Sequence, residues 1–345
     1  MKQRTSLSFL ILFSLLSAFS LITTAFAGEL IIEPDAGRMP ILSAINQATS
    51  SINLVIYGFT DERFIEALIH AKNTGKSVQI LMEQTPYKTE NENAAAIEQF
   101  QAHGVSLRWP DNSFKLLHQK MFLFDQNRAM IMTFNLTHST FKNERNFALV
   151  ITDPAETREI QTVFNADWKH TAVSVNNPNL IWSPDNAREK ILSFIQSATS
   201  SIQIYDENIS DFQVIGALAK AARKGVNIKI LVSVDPEKWN SKKFAFLKKA
   251  GVEIENSQHY LIHAKVIIVD NKKAMIGSIN LTKPSLDNNR ELAVLTQDPK
   301  VIRQLLNTFY SDWKEKEPLE FNRAKLRQWS STHILREIKR LCTLA

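Results

Sequence analysis

Apolar and polar positions follow two different periods along the chain. ILSAINQAT (41–49) and FIEALIHAKNTG (64–75) place apolar residues three and four apart, the spacing of an amphipathic helix, and Gly75 stands where such a helix would end. INLVIYGF (52–59), VQILM (78–82), KMFLFD (120–125) and FALVIT (147–152) are instead short and apolar almost throughout, rich in β-branched and aromatic residues. Strands of that kind belong inside a sheet that helices cover on both faces. The alternation of the two patterns predicts an α/β fold.

The pattern then repeats. ATSSINLVIY (48–57) returns as ATSSIQIY (198–205) and TGKSVQILM (74–82) as KGVNIKILV (224–232), an offset of 150 where the two copies start. The offset is 147 at HGV and AGV, then 145 from RNFALVITDP and RELAVLTQDP through FNADW and FYSDW. Self-similarity on this scale means a duplicated structural unit. Two α/β/α halves are expected, residues 28–172 and 173–318, packed side by side about a pseudo-two-fold axis with one active site between them.

Composition limits what surrounds this core. With 345 residues, 44% apolar and only 9 glycines, the chain can bury a large interior. Lys2 and Arg4 precede an apolar run from Leu7 to Thr24, closed by Ala25-Phe26-Ala27, so residues 1–27 read as a secretory signal cleaved before Gly28. The run also approaches the roughly 20 residues that span a bilayer, which leaves an uncleaved anchor as the alternative. Export to the periplasm or medium is expected. Cys342 is the sole cysteine, so stability has to come from burial and not from an internal disulfide. Charge concentrates at the end: residues 321–345 hold six Lys or Arg and one Glu, with Ile334, Ile338 and Leu341 at helical spacing. The stretch 319–345 reads as a basic amphipathic tail, either docked on the fold or set against an anionic surface. Once signal and tail are removed, the body is close to neutral, unlike a broadly basic nucleic-acid binder.

The chemistry sits in the repeat. LLHQKMFLFDQNRAMIMTFN (116–135) and LIHAKVIIVDNKKAMIGSIN (261–280) each carry a His-x-Lys pair, an aspartate and a closing asparagine. If these stretches are extended, His118 and Lys120 share a face, as do Thr133 and Asn135; His263, Lys265, Ser278 and Asn280 repeat the set. Lysine is a donor-only cation, suited to an anion and poor as a metal ligand. Two lysines, two asparagines and two hydroxyls would cradle a phosphate, while two imidazoles supply a nucleophile and a proton carrier. No carboxylate or cysteine cluster accompanies them, so neither a metal nor another cofactor is expected.

His263-x-Lys265-x4-Asp270-x6-Gly277-Ser278-x-Asn280 resembles the HKD signature of the phospholipase D superfamily. The first copy is similar at His118, Lys120, Asp125 and Asn135 but has Met132-Thr133 in place of Gly-Ser. The resemblance covers nearly all of residues 28–318. It implies the fold of that superfamily and cleavage or transfer at a phosphodiester through a phosphohistidine. Asp125, Asp270 and Gly277 are expected to be structural, and Lys120, Lys265, Asn135, Asn280, Thr133 and Ser278 to bind the phosphate. In this superfamily an acidic or amide residue 28 positions after each histidine orients an imidazole; here these are Asn146 and Glu291, with Glu144 nearby as a substitute. A crossed pairing is expected, with Glu291 on His118 as nucleophile and Asn146 on His263 as general acid and base.

The motifs leave the substrate open. The export signal, neutral body and basic tail favour a phospholipase D acting on phospholipid at a membrane surface. Compact size and the cations Lys142, Arg145, Lys283 and Arg290 favour a metal-independent exported endonuclease. A cardiolipin synthase-like transferase and a noncatalytic phosphate-binding protein are the remaining readings. The site is complete in one chain, so no obligate protein partner is expected.

Overall fold

The computed structural model describes residues 28–86, 91–233 and 241–314; the signal and the tail lie outside the described residues. The first half runs β1 (Glu29–Glu33), α1 (Met39–Gln47), β2 (Ser51–Ile56), α2 (Glu62–Asn73), β3 (Ser77–Met82), α3 (Ala94–Ala102), β4 (Ser106–Arg108), β5 (Met121–Phe124), β6 (Arg128–Met132), β7 (Glu144–Ile151) and α4 (Pro154–Lys169). The second runs β8 (Leu180–Ser183), α5 (Ala187–Gln196), β9 (Ser201–Tyr205), α6 (Phe212–Arg223), β10 (Asn227–Val232), α7 (Ser241–Lys249), β11 (Glu253–Asn256), β12 (Leu261–Ile262), β13 (Val266–Val269), β14 (Lys273–Gly277), α8 (Lys283–Asp287), β15 (Glu291–Thr296) and α9 (Pro299–Lys314).

Each half builds one mixed sheet, in the orders β1-β7-β6-β5-β2-β3-β4 and β11-β10-β9-β13-β14-β15-β8. These are the same topology, with parallel strands at one side and antiparallel strands at the other. The strands are apolar on both faces because both are covered. On β2, Ile52, Leu54 and Ile56 meet α1, α2 and α3, whereas Val55 points inward; β5 divides Phe122 and Phe124 from Met121 and Leu123 in the same way. The inward residues of both sheets join α4 (Ile160, Val163, Phe164) and α9 (Val301, Leu305, Phe309) in one shared core. Each fully buried side chain of this size is worth about 1.5–3 kcal/mol. The two halves are therefore bonded through one interior.

The halves also exchange backbone. β12 of the second half adds parallel to β7 of the first, pairing Leu261 with Glu144 and Ile262 with Arg145. Leu117 pairs with Arg290 in the reciprocal contact. Helix α2 starts at Asp61 and α6 at Asp211, each carboxylate capping its own helix. These caps fix the register of the repeat. Ile52 pairs with Val78 and Ile202 with Ile228, so the offset of 150 continues without a gap, and the partner of Tyr57 is Glu207.

Candidate active site

His118 and Lys120 lie in the segment just before β5, and His263 and Lys265 just before β13, outside the strands proper. What holds each segment is the opposite half. The amides of His118 and Gln119 both donate to Arg290 O, at 3.0 and 2.9 Å; those of His263 and Ala264 both donate to Arg145 O, at 3.3 and 3.1 Å. Each arginine is itself locked. Arg145 forks onto Asp312 at 2.9 and 3.0 Å and reaches Asp35 at 2.6 Å, with its guanidinium 4.0 Å from the Tyr260 ring centre. Arg290 forks onto Asp167 at 2.8 and 2.9 Å and reaches Asp185 at 2.6 Å. Both are buried, so of the four cations noted near the motifs only Lys142 and Lys283 face solvent. A buried guanidinium needs carboxylate partners, and having them it cannot also track a polyanion.

Next to these arginines stand the residues that face the imidazoles. Glu291 Oε2 lies 2.9 Å from His118 Nδ1, with both side chains buried. An ionised carboxylate accepts only, so Nδ1 carries the proton and Nε2 holds the lone pair that is available to the cleft. Burial, followed by Lys120, lowers the pKa of His118, while Glu291 works in the opposite direction. Burial opposes the charge on Glu291 too, but His118, Lys120 and Asn289 outweigh it and leave this carboxyl below its usual range.

The reciprocal contact from Asn146 is not made. Asn146 Oδ1 accepts from the Thr133 hydroxyl at 2.8 Å and its Nδ2 donates to Glu144 Oε2 at 3.1 Å. Thr133, the departure from Gly-Ser, thereby turns Asn146 away from His263. The nearest carboxylate oxygen to His263 Nδ1 is Glu144 Oε2, at 3.8 Å, too long for a hydrogen bond. Nδ1 has no hydrogen-bond partner among the described residues. The two halves nevertheless hold the same pair in reverse order: Glu144-Arg145-Asn146 in one, Asn289-Arg290-Glu291 in the other, where Asn289 Nδ2 donates to Glu291 at 3.0 Å.

The lysines fold back on their own motifs, Lys120 Nζ donating to His118 O at 2.6 Å and Lys265 Nζ to His263 O. Here the second asymmetry enters. Tyr57 sets its ring edge-on to His118, centres 5.2 Å apart, and lies 5.3 Å from Lys120 Nζ. Glu207, in the matching place, puts Oε1 2.9 Å from Lys265 Nζ and 3.9 Å from His263 Nε2. Burial would raise its pKa, but Lys265 and His263 bring it down to about 2. Burial and Lys265 in turn lower His263 well below its ordinary value against the pull of Glu207. Composition and motif spacing gave no hint of Glu207. The only signal was the gapless offset between ATSS and the capping aspartates.

Asn135 Oδ1 accepts from Gly58 N at 3.1 Å; Asn280 Oδ1 has no partner among the described residues. Asn280, Asn208, Ser210 and Lys115 line a cleft that ends at His118. The hydroxyls of Thr133 and Ser278 do not face it. β6 and β14 end one residue earlier, at Met132 and Gly277, so strand alternation no longer applies. Thr133 Oγ1 is taken by Asn146 and the Phe147 amide, and Ser278 Oγ bridges the Leu292 backbone at 3.3 and 3.4 Å. Asp125 collects the amides of Thr49, Ser50 and Ser51, and Asp270 those of Thr199, Ser200 and Ser201, tying the β5–β6 and β13–β14 turns to the starts of the neighbouring strands β2 and β9. Burial would raise Asp125, yet these amides lower it to about 2. Among the described residues no three His, Cys, Asp or Glu stand close enough to hold a metal, and no helix is long and apolar enough to cross a membrane.

The family described as cardiolipin synthase, PLD-like domain, matches residues 41–168 and 191–313, both halves of the repeat. The chain belongs to the phospholipase D superfamily. Among relatives in that superfamily, the mouse protein named mitochondrial cardiolipin hydrolase is 27% identical over 139 residues, 40% of this chain and 63% of its own length. Cardiolipin synthase 2 of Bacillus anthracis is 25% identical over 336 residues, 84% of this chain and 65% of its own. The chain thus spans about half to two thirds of the length of these curated phospholipase D relatives. The phospholipase D fold is shared with phosphatidylserine synthase of Haemophilus influenzae (TM-score 0.66, 13% identity, 92% of this chain and 95% of that one). It is also shared with polyphosphate kinase of Porphyromonas gingivalis (TM-score 0.67, 18% identity, 88% and 55%).

Proposed function

We propose that the chain is an exported phosphodiesterase of the phospholipase D type, which hydrolyses a phospholipid head-group bond through a phosphohistidine. The observation that carries this reading is the unequal environment of the two imidazoles: Glu291 on Nδ1 of His118, Glu207 beside Nε2 of His263. His118 Nε2 attacks phosphorus, forming the P–N bond as the bond to the head-group oxygen breaks. His263, as imidazolium, gives its proton to that oxygen. Now neutral, it takes a proton from water, whose oxygen bonds phosphorus as the P–N bond breaks, releasing phosphatidic acid and restoring both rings. Glu291 balances the positive charge on phosphorylated His118, while Lys120 and Lys265 balance the equatorial oxygens. The bound diester anion supports protonation of His263, whose pKa burial and Lys265 depress.

Phospholipid is favoured as substrate by the names of two relatives, a cardiolipin hydrolase and a cardiolipin synthase. Transfer to an alcohol in place of water is the second reading, favoured by the synthase of the two. A nuclease reading loses two of its four cations, because Arg145 and Arg290 are committed to Asp312 and Asp167. The test is to offer residues 28–345, in EDTA, phosphatidylcholine, cardiolipin, single-stranded DNA and duplex DNA in parallel, with and without a primary alcohol. Release of phosphatidic acid is expected. DNA cleavage without lipid turnover would overturn the lipid reading, and a dominant alcohol adduct would make the enzyme a transferase.

A further inference from the structure

Duplication makes Glu207 conspicuous, because the position exists twice and is filled differently. Tyr57 covers His118 and Lys120 with a ring, and Glu207 places an anion against Lys265 and His263. A wholly buried ammonium such as Lys265 needs compensation, which is the plain structural use of the carboxylate. Its second contact is what that use does not require: the carboxylate also stands 3.9 Å from Nε2 of His263, the atom that faces the reacting groups.

We propose that Glu207 sets the charge specificity of the site, admitting a departing group that carries ammonium or hydroxyl donors and excluding one that carries a further phosphate. The inference rests on the reading that His263 protonates the leaving oxygen. For that transfer the oxygen has to come within about 3 Å of Nε2. The first atoms beyond it then fall about 4–6 Å from the Glu207 carboxylate. Two unit charges at that separation, with an effective dielectric of about 20, would change affinity by more than a hundredfold, and the standing pair with Lys265 cancels part of this. About a tenfold discrimination remains. On the His118 side Tyr57 carries no such charge, so the filter acts on one ester substituent only. The diesters it favours are those of amino alcohols and polyols; it disfavours pyrophosphates, the internal diesters of nucleic acid and cardiolipin, whose departing phosphatidylglycerol carries a second phosphate, so that among phospholipids it favours those with a single phosphate.

Binding tests this without turnover. Protein comprising residues 28–345 is titrated calorimetrically, at fixed ionic strength, with O-phosphoethanolamine, inorganic phosphate and inorganic pyrophosphate. Wild type is expected to prefer phosphoethanolamine to pyrophosphate. Glu207→Gln should shift the ratio of the two dissociation constants toward pyrophosphate by about tenfold, with inorganic phosphate between them. Glu207→Tyr, which installs the residue of the first half, should do the same and serves if the glutamine variant folds poorly. Equal tightening of all three ligands would make Glu207 only the counter-ion of Lys265 and overturn the proposal, as would an unchanged ratio. A shifted ratio in a protein that fails to hydrolyse lipid would keep the charge filter and remove the lipid assignment.

Discussion

Replacing Glu291 by glutamine removes one charge and keeps an acceptor of the same shape, so it isolates what the carboxylate does for His118. In the mechanism proposed above Nε2 is phosphorylated and the imidazole becomes cationic, with the carboxylate 2.9 Å from Nδ1 and both groups buried. Opposite charges about 4 Å apart interact by about 4 kcal/mol at an effective dielectric of about 20. The glutamine oxygen still accepts from Nδ1, so the loss should be nearer the roughly 1–1.5 kcal/mol that separates charged from neutral hydrogen bonds. That is roughly a 5- to 13-fold slower formation of the phosphoenzyme. Rapid quench of a soluble diester with a p-nitrophenyl leaving group measures this step directly, because the leaving group needs no proton. The pH profile gives a second readout. Glu291 raises the pKa of His118 against burial and Lys120. Removing it lowers that pKa, and since the nucleophile acts as the neutral ring, the acid limb of kcat/KM should move to lower pH. A loss below threefold, or a limb that moves to higher pH, would refute the assignment, most clearly if Glu144→Gln were the more damaging change.

Three further outcomes are expected. A Cβ on Gly277 would fall 2.3 Å from Leu292 O and 2.4 Å from Ala293 Cα, both backbone, so Gly277→Ala should cost about 2–3 kcal/mol in urea unfolding; a neutral result would contradict the close strand spacing. Arg145→Ala takes the cation away from the buried Asp312 carboxylate, which keeps the Tyr205 hydroxyl as a donor at 2.6 Å, and should cost about 3–5 kcal/mol in the same assay, while the salt dependence of any polyanion binding stays as in wild type. Asp125, at about 2 in the fold against about 3.9 in an unfolded chain, stabilises fully above pH 4, and this contribution disappears as pH falls through 2. The difference in denaturation midpoint between Asp125→Asn and wild type should therefore shrink from pH 7 toward pH 2, and a constant gap would refute the linkage.

The fold was legible because its two causes are local. Apolar strands between amphipathic helices require a covered sheet, and a repeat with related ends requires two of them. The residues that hold the phosphate chemistry were legible as a motif, and Glu291 as a position at fixed distance from it. What escaped was geometry across the repeat. Tyr57 and Glu207 share a position at the offset of 150 but no chemistry, so residue likeness could not mark Glu207 as part of the repeated set. The fate of Asn146 depended on the one methyl and hydroxyl of Thr133, and that of Arg145 and Arg290 on Asp312 and Asp167, each more than 120 positions distant in sequence. Spacing within a motif carries no information on such partners.

The reversed order of Glu-Arg-Asn and Asn-Arg-Glu has a consequence for ancestry. An assembly of two identical half-sized chains is obliged to give both imidazoles the same neighbours, so any division between attacking ring and proton donor has to be created anew in every turnover. Once both halves are written into one gene, a substitution reaches only one side of the axis. The exchange of carboxylate and amide, the threonine at 133 and the glutamate at 207 are each differences of that kind between the halves. They make the surroundings of the two histidines distinct before any substrate arrives.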